Sequence, residues 1–378
     1  MLTLFLLEVG TRIIFSFVID AKILLYGFTI RGAHVGHPRL RIPMRWGYIA
    51  TIGDKVEDSR GLYFKYYPYQ QIRATKKAAP GRRFDVRINN FGFRGDDFTQ
   101  AKPPGVVRIV TLGASSTFSC ENHDDETYPF YLGQALNQRL RREPQGRLAR
   151  IEVLNLGIPH LDSDNIRALF MSEVLDFDPD IVTFYEGAND TRNIRRSWPH
   201  RLLVQASEFL LSCRYLVHLL HTIPASFSES DVRSHIAGKA DAFIGNIAEI
   251  SAACEERGIR FVVVSQQLTS EMFPKETLDD IPYQQEVDIF RGRLAAGRKI
   301  RLGGLMLLIH ADINRKLRRW ARTNGVLYLD LVRRMDGARK RHYLESWVYL
   351  SPEGNRFFAS ELSRVLWPAV TDAAQRLE

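Results

Sequence analysis

The chain has 378 residues, of which 45% are hydrophobic and 25% are charged, which excludes a disordered or fibrous protein and suits one large core with an appendage. Its three cysteines are odd in number and far apart, which excludes a disulfide framework and a paired-cysteine metal site, so we expect free thiols. The net charge of +9 is spread over separate segments and favours a generally solvated surface over a patch that binds lipid, nucleic acid or acidic glycan.

Residues 1–29 form the candidate membrane segment. They are predominantly apolar, but Glu8, Arg12, Asp20 and Lys22 interrupt the run, whereas a spanning helix needs about 20 predominantly apolar residues. The segment has no basic start and no small-residue cleavage site, which argues against a cleaved signal peptide. We expect an uncleaved anchor or an interfacial helix, with a soluble docking helix as the alternative. The arginines that follow the segment favour a cytoplasmic flank.

Residues 30–104 have a different composition, in which prolines and aromatic residues alternate with basic ones without a sustained period. This pattern predicts an extended lead-in that wraps the next domain. Aromatic and basic residues also alternate in proteins that bind single-stranded nucleic acid, but no recognition motif accompanies them here. We therefore expect packing and no nucleic-acid partner. The stretch RINNFGFRG, residues 87–95, predicts turns before the first core strand.

From residue 105 to residue 378, short apolar strands alternate with helices. The predicted strands are Val106–Leu112, Ile151–Leu156, Ile181–Tyr185, Arg260–Ser265 and Val326–Leu329, and the predicted helices are Tyr128–Arg142, Ser163–Leu175, Ile236–Arg257 and Leu305–Thr323. A further apolar helix at Ser207–Leu220 is either buried or in contact with a membrane. The alternation predicts an α/β domain with a parallel sheet of about five strands, covered by helices on both faces.

The usual phosphate, dinucleotide and zinc motifs are absent from the sequence, and so is the G-x-S-x-G elbow. What remains is the set of loops after the first three strands, which hold Ser115 in LGASST, Gly157 in NLGIPH and Asn189 in YEGAND. In a parallel sheet these loops meet at one edge. A serine hydroxyl can attack an ester carbonyl, while backbone N–H groups and an asparagine amide stabilise the oxyanion. Each residue alone fits an ordinary turn or cap, but together they predict an acyl-ester site.

These motifs resemble a known family. LGASST, NLGIP and GAND resemble blocks I, II and III of the SGNH (GDSL-type) hydrolases, and LSPEGNRFFA resembles the helix start that follows block V. RINNFGFRG and DDETYP resemble bacterial members that carry an amino-terminal membrane segment, which implies a place in the bacterial envelope. The resemblance spans residues 85–365 and implies a three-layer flavodoxin-like fold, acyl-ester hydrolysis or transfer, and no metal or organic cofactor. By motif position, Ser115 is the nucleophile, and Gly157 and Asn189 join the oxyanion hole.

Block V departs from the family pattern. The family places D-x-x-H directly before L-S/T-P-E-G-N, and those two positions hold Ser346 and Tyr349 here. The departure matters because a serine needs a neighbouring base, and tyrosine, with a reference pKa of about 10, accepts a proton poorly at neutral pH. The candidates for a displaced base are His342 with Glu345 in the same loop, His160 after Gly157, and His123 after Ser115.

Two functions therefore stay open. The first is a serine esterase or O-acyl transferase that acts on a small-molecule ester or on an acylated glycan or lipid. The second is a catalytically impaired domain that binds an acylated glycan or lipid, or that serves as a scaffold for envelope polysaccharide biosynthesis. Arg192, Arg195 and Arg196 follow Asn189 and are candidates to hold an anionic group, with a solvated helix start as the alternative.

Overall fold

The computed structural model describes residues 6, 8–10, 53–58, 61–66, 68–75, 83–192 and 225–377. The helix predicted at Ser207–Leu220 and almost all of the membrane segment predicted at 1–29 lie outside the described residues. Among the described residues, no helix is both long enough and apolar enough to cross a membrane. The division of the chain into 1–29, 30–104 and 105–378 stays a prediction.

Strands and helices alternate along most of the described chain. The strands are β1 Gly53–Asp58, β2 Gly61–Tyr66, β3 Gln71–Thr75, β4 Arg83–Arg87, β5 Val106–Gly113, β6 Arg150–Gly157, β7 Ile181–Tyr185, β8 Ser226–Phe227, β9 Arg260–Val264, β10 Ile300–Arg301 and β11 Leu327–Leu329. The helices are α1 Ser115–Phe118, α2 Tyr128–Arg142, α3 Ser163–Ser172, α4 Glu229–Ile236, α5 Lys239–Glu256, α6 Tyr283–Ala295, α7 Leu302–Thr323, α8 Leu331–Gly337 and α9 Pro352–Gln375.

Five of these strands form one parallel sheet in the order β11-β9-β7-β5-β6. The predicted fold class is therefore confirmed. The first strand of the sheet, β5, has the second strand β6 on one side and the third strand β7 on the other. The strand order thus reverses at β5, and ligands of open α/β sheets bind in the crevice at the carboxyl ends beside such a switch point. Ser115 follows β5 directly, which places the serine in this crevice.

Helices cover both faces of the sheet because successive strand residues point to opposite sides. Phe261 and Val263 pack into one core with helices α3, α5, α6 and α7, whereas Val262 and Val264 pack into a second core with α2, α8 and α9. Both cores consist of side chains that are almost completely removed from solvent. The domain therefore has three layers, as the resemblance implies.

The helix predicted at Leu305–Thr323 begins earlier, at Leu302, and two other predicted helices differ in how they divide or end. The helix predicted at Ile236–Arg257 is two helices, α4 and α5, because Gly238 between them adopts a φ of +78°, which a helix does not accommodate. The helix predicted at Ser163–Leu175 ends at Ser172, and the chain continues as a 3₁₀ turn over Val174–Phe177. None of these differences changes where the strands end.

The described part of the lead-in packs directly on the domain. Tyr66 is buried, and its ring stacks on Phe118 with 5.4 Å between the ring centroids. Arg94 pairs with Asn155 in an isolated antiparallel bridge, so the lead-in covers part of the edge strand β6. Arg108 of β5 is completely buried and donates hydrogen bonds to the carbonyls of lead-in residues 99 and 100. These contacts agree with a lead-in that wraps the domain.

Candidate active site

The serine turn begins where the buried strand β5 ends. Gly113 closes the strand, and Ser115 is the first residue of the short helix α1, with its side chain almost completely buried. Ser119 ends the helix in the left-handed conformation, with a φ of 62°. Its hydroxyl accepts hydrogen bonds from Asn122 at 2.9 Å and from Asn355 at 3.0 Å. Asn355 belongs to the PEGN segment, so the start of α9 holds the serine turn in place.

Gly157 lies beside this turn. It is the parallel partner of Gly113 across the sheet, and a Cβ atom at position 157 would lie 2.3 Å from the backbone nitrogen of Phe118. Only glycine lets helix α1 approach β6 so closely. The N–H of Gly157 donates a hydrogen bond to the side-chain oxygen of Asn155 at 3.1 Å. The amide that the family pattern assigns to the oxyanion hole is therefore engaged within the chain in this conformation.

Asn189 connects the loops that follow β6 and β7. It opens a 3₁₀ turn over Asn189–Thr191, and its side-chain amide donates to the carbonyl of Leu161 at 2.8 Å. A side-chain amide has two hydrogens, so one remains for an oxyanion. The backbone N–H of Asn189 donates to the carboxylate of Glu186 at 2.8 Å, and the N–H of Ala114 beside the serine is near enough to help lower the pKa of that carboxyl against the effect of burial. The structure thus brings the loops of Ser115, Gly157 and Asn189 together, and their catalytic roles stay predictions.

Gln266 is a site residue that the sequence reasoning missed. It follows β9, donates to the Ser116 hydroxyl at 3.0 Å and accepts from the N–H of Ala188 at 2.8 Å. One completely buried side chain therefore ties the serine turn to the Asn189 loop. The signal was available, because polar residues directly after a buried strand lie at the same edge of the sheet as Ser115.

Tyr349 faces the serine. Burial raises the pKa of Tyr349 well above its usual range, and the nearby Ser115 side chain offsets only a part of that rise. Cys120 lies beside the same hydroxyl, and burial raises the pKa of its thiol to about 12. Both groups therefore stay protonated at neutral pH. Tyr349 occupies the place of the base without the ability to accept the serine's proton.

Two buried carboxyl groups lie behind the Asn189 loop. Burial raises the pKa of Glu186 to about 7, against the opposing hydrogen bonds from the N–H groups of Asn189, Gly187 and Ala114. Burial also raises the pKa of Asp190 to about 8, although Ser163 donates to its carboxylate from both its hydroxyl and its N–H. These groups anchor the loop, and Glu186 changes its charge near neutral pH.

The structure shows the surroundings of the three histidines predicted as bases, whose role stays a prediction. The His342 Nδ1 atom lies 2.6 Å from a carboxylate oxygen of Asp279, and the His342 N–H donates to the same carboxylate. The His123 Nδ1 atom accepts from the N–H of Asp85 at 3.3 Å. Burial and the nearby charge of Arg192 lower the pKa of His160, so its imidazole is neutral. Within the part of the chain that the structure describes, no imidazole hydrogen-bonds to the Ser115 hydroxyl.

His310 is a further histidine in the core, which the sequence analysis did not select as a candidate. It is completely buried on α7, and burial lowers its pKa to about 3. Its Nδ1 atom lies 2.7 Å from the hydroxyl of Tyr283. Its ring packs behind Gly187 and does not reach solvent. Among the described residues, no group of three or more His, Cys, Asp or Glu side chains is placed to hold a metal ion.

The fold and this crevice define a class. A flavodoxin-like sheet with a serine after the first strand, a glycine after the second and an asparagine after the third is the arrangement of an SGNH-type acyl-ester hydrolase. The family model described as GDSL-like lipase/acylhydrolase matches residues 110–357, which is more than half of the chain. The chain therefore belongs to the GDSL-like lipase/acylhydrolase family.

Solved structures of similar proteins include one lipolytic protein and two esterases. A lipolytic protein of the G-D-S-L family from Desulfitobacterium hafniense is 15% identical over 69% of this chain and 99% of its own, with a TM-score of 0.41. The acetyl xylan esterase AlAXEase is 16% identical over 70% of this chain and 100% of its own, with a TM-score of 0.41. A variant of Axe2, an acetyl-xylooligosaccharide esterase from Geobacillus stearmophilus, is 13% identical over 68% of this chain and 93% of its own, with a TM-score of 0.42. These scores are low, so the assignment rests on the family model. A search of curated proteins found no match.

Proposed function

We propose that the chain is a serine ester hydrolase or O-acyl transferase of low intrinsic turnover, acting through Ser115 on an acylated glycan or lipid. The observation that supports it is the meeting of the Ser115, Gly157 and Asn189 loops at the switch point of the sheet. Gln266 fixes two of these loops relative to each other. The construction resembles a pocket for an ester carbonyl and the oxyanion that forms from it.

The reaction would begin with attack of the Ser115 hydroxyl oxygen on the ester carbonyl carbon. The Asn189 amide and the serine's own N–H would stabilise the oxyanion, and the Gly157 N–H would join them once it leaves Asn155. The alcohol would depart and leave an acyl-serine, which water or a sugar hydroxyl would then resolve. The serine must lose its proton during the attack, and Tyr349 cannot take it, so a water molecule would accept the proton and the departing alcohol would take one up from water. A missing general base slows such a step by about 10²–10⁴-fold, which is why we expect low turnover.

A second candidate function is a binding domain for an acylated glycan or lipid, or a scaffold for envelope polysaccharide biosynthesis. Two observations favour it. The Ser115 hydroxyl faces a tyrosine and not an imidazole, and the Gly157 N–H is already satisfied by Asn155. A pocket of this kind can still hold an ester or a carboxylate when it turns over nothing.

Fluorophosphonate labelling and hydrolysis of p-nitrophenyl acetate separate the two candidates. We expect slow labelling and slow turnover of the wild type, and neither in Ser115→Ala. Ser234→Ala is the matched control because this serine is exposed on α4 and its hydroxyl donates to the carbonyl of Asp231 one turn earlier, away from the Ser115 loops. Equal labelling and turnover of wild type and Ser115→Ala would reject the enzyme and leave the binding domain.

We also propose that the protein associates with a membrane of the bacterial envelope through residues 1–29. The apolar composition of the segment supports this proposal. Flotation with liposomes tests it, with a chain that begins at residue 30 as the comparison. Equal flotation of the two chains, or none of either, would reject the proposal.

A further inference from the structure

Arg192 lies on the same side of its turn as Asn189. The turn Asn189–Thr191 is a 3₁₀ helix, and the N–H of Arg192 donates to the carbonyl of Asn189 at 3.0 Å. In a 3₁₀ helix the side chains at positions i and i+3 eclipse each other. The turn therefore places the Arg192 side chain on the same side as the side chain of Asn189.

Trp347 holds the arginine side chain in place. The guanidinium carbon of Arg192 lies 4.7 Å from the centre of the Trp347 ring. The indole is half-buried, and both backbone groups of Trp347 are bonded, its carbonyl to the N–H of Thr269 at 2.9 Å and its N–H to Glu271 at 3.2 Å. A guanidinium stacked on a fixed aromatic face keeps its N–H edges free for other partners. Trp347 stands two residues before Tyr349, so this platform borders the serine.

The charge of Arg192 reaches the groups around Ser115. Burial raises the pKa of Tyr349, Cys120 and Glu186, and the positive charge of Arg192 opposes that rise. Burial lowers the pKa of His160, and Arg192 lowers it further by repelling the imidazolium form. These groups belong to the loops after three different strands and to the loop before α9. The guanidinium therefore lies within electrostatic reach of the crevice.

Among the described residues, no Asp or Glu oxygen lies within ion-pair distance of the Arg192 guanidinium, and Arg192 is exposed. The buried carboxylate of Glu186 is occupied by backbone N–H groups. An exposed arginine beside an ester-binding crevice is suited to bind an anionic group of the substrate, such as a carboxylate or a phosphate.

We propose that Arg192, stacked on Trp347, is a specificity-determining residue that binds a carboxylate or phosphate group carried by the ester substrate. The inference rests on the proposed function, since it concerns the substrate of the same crevice. The substrate class is then an acidic ester, in which the anionic group lies within a few bonds of the acylated hydroxyl. A guanidinium offers two parallel N–H groups that match both carboxylate and phosphate oxygens.

Three acetylated sugars that differ only at carbon 6 test the proposal. They are O-acetylated methyl glucoside, the corresponding methyl glucuronoside and the corresponding 6-phosphate. Their binding is measured by calorimetry and their deacetylation by acetate release, with full-length protein. The variants are Arg192→Gln, Arg192→Lys and, as a matched control, Arg291→Gln, an exposed arginine on α6 that pairs with Asp288.

We expect the wild type to bind at least one acidic sugar about tenfold or more tightly than the neutral one, since charged hydrogen bonds are stronger than neutral ones. Arg192→Gln should abolish the preference, Arg192→Lys should retain part of it, and Arg291→Gln should retain all of it. The tighter of the two acidic sugars identifies carboxylate or phosphate as the natural group. Equal binding of all three sugars, binding of none, or a preference that survives Arg192→Gln would overturn the inference.

The same experiment tests the role of Arg192 and the proposed function separately, because binding preference reports on Arg192 and deacetylation reports on Ser115. Ser115→Ala is expected to lose deacetylation and to keep the preference for the acidic sugar in binding. Deacetylation that does not depend on Ser115 would reject the enzyme, whatever the binding preference. Ser115-dependent deacetylation without an acidic preference would reject the role of Arg192 alone.

Discussion

Arg94→Met is expected to destabilise the domain strongly, because this arginine of the lead-in holds the loop after the serine. Its guanidinium is almost completely buried and donates to the carbonyls of Phe118 at 2.6 Å, Ser119 at 2.8 Å and Asn122 at 2.6 Å, and to the carboxylate of Asp124 at 2.8 Å. Each buried acceptor left without a partner costs about 1–3 kcal/mol. Because the loop can relax toward water, we expect a total loss of about 4 kcal/mol rather than the full sum.

Urea denaturation followed by tryptophan fluorescence measures this loss. Arg87→Met is the matched control, because Arg87 lies in the same segment and contacts the same Asp124, but its side chain is 60% exposed. An exposed ion pair contributes about 0–1 kcal/mol, so the control should unfold almost as the wild type does. Equal losses in the two variants would refute the claim that buried hydrogen bonds from Arg94 stabilise the serine loop.

Three further outcomes follow from buried groups of the site. Glu186→Gln should flatten the pH dependence of the free energy of unfolding. The pKa of Glu186 in the folded protein is about 7 and exceeds its pKa in the unfolded chain. The contribution of Glu186 to wild-type stability is therefore full at acid pH and falls by on the order of 3 kcal/mol as the pH rises to neutral. Denaturation at pH 5 and pH 8 would show it, and equal slopes would contradict it. Gly157→Ala should cost about 1–3 kcal/mol, because its Cβ would lie 2.3 Å from the Phe118 nitrogen, whereas Gly245→Ala, with open space around it, should not destabilise. Gln266→Leu should lower fluorophosphonate labelling without unfolding the domain, and unchanged labelling would remove its positioning role.

The strands were predictable because each is a short run rich in β-branched and apolar residues, and the three central strands β5, β7 and β9 are buried on both faces almost throughout. The strand Ile181–Tyr185 was predicted at its observed bounds, and the strand at Arg260 ends one residue earlier than predicted. The position of Ser115 at the carboxyl edge followed from the same pattern. A parallel sheet allows this inference because all its carboxyl ends share one edge.

The partners of the site were not predictable, because they depend on contacts between distant segments. Arg94 and Gln266 act through hydrogen bonds that span 24 and 150 positions of the chain. The hydrogen bond from the Gly157 N–H to the Asn155 side chain was not predictable for a different reason. The sequence shows that position 157 is a glycine, but it does not show which acceptor the backbone N–H contacts. His342 was proposed as a base because it lies close in sequence to the position of Tyr349. In the structure, Leu344 and Leu350 pair in a bridge that closes the loop between them, and the His342 side chain contacts Asp279.

We propose that the crevice lacks only a general base, whose place Tyr349 takes. The most direct test is the double variant Ser346→Asp with Tyr349→His, which restores the residue types of the family pattern beside Ser115. We predict that p-nitrophenyl acetate turnover rises by about 100-fold or more over the wild type, and that adding Ser115→Ala abolishes the gain. A double variant that folds and shows no gain over the wild type would contradict the claim.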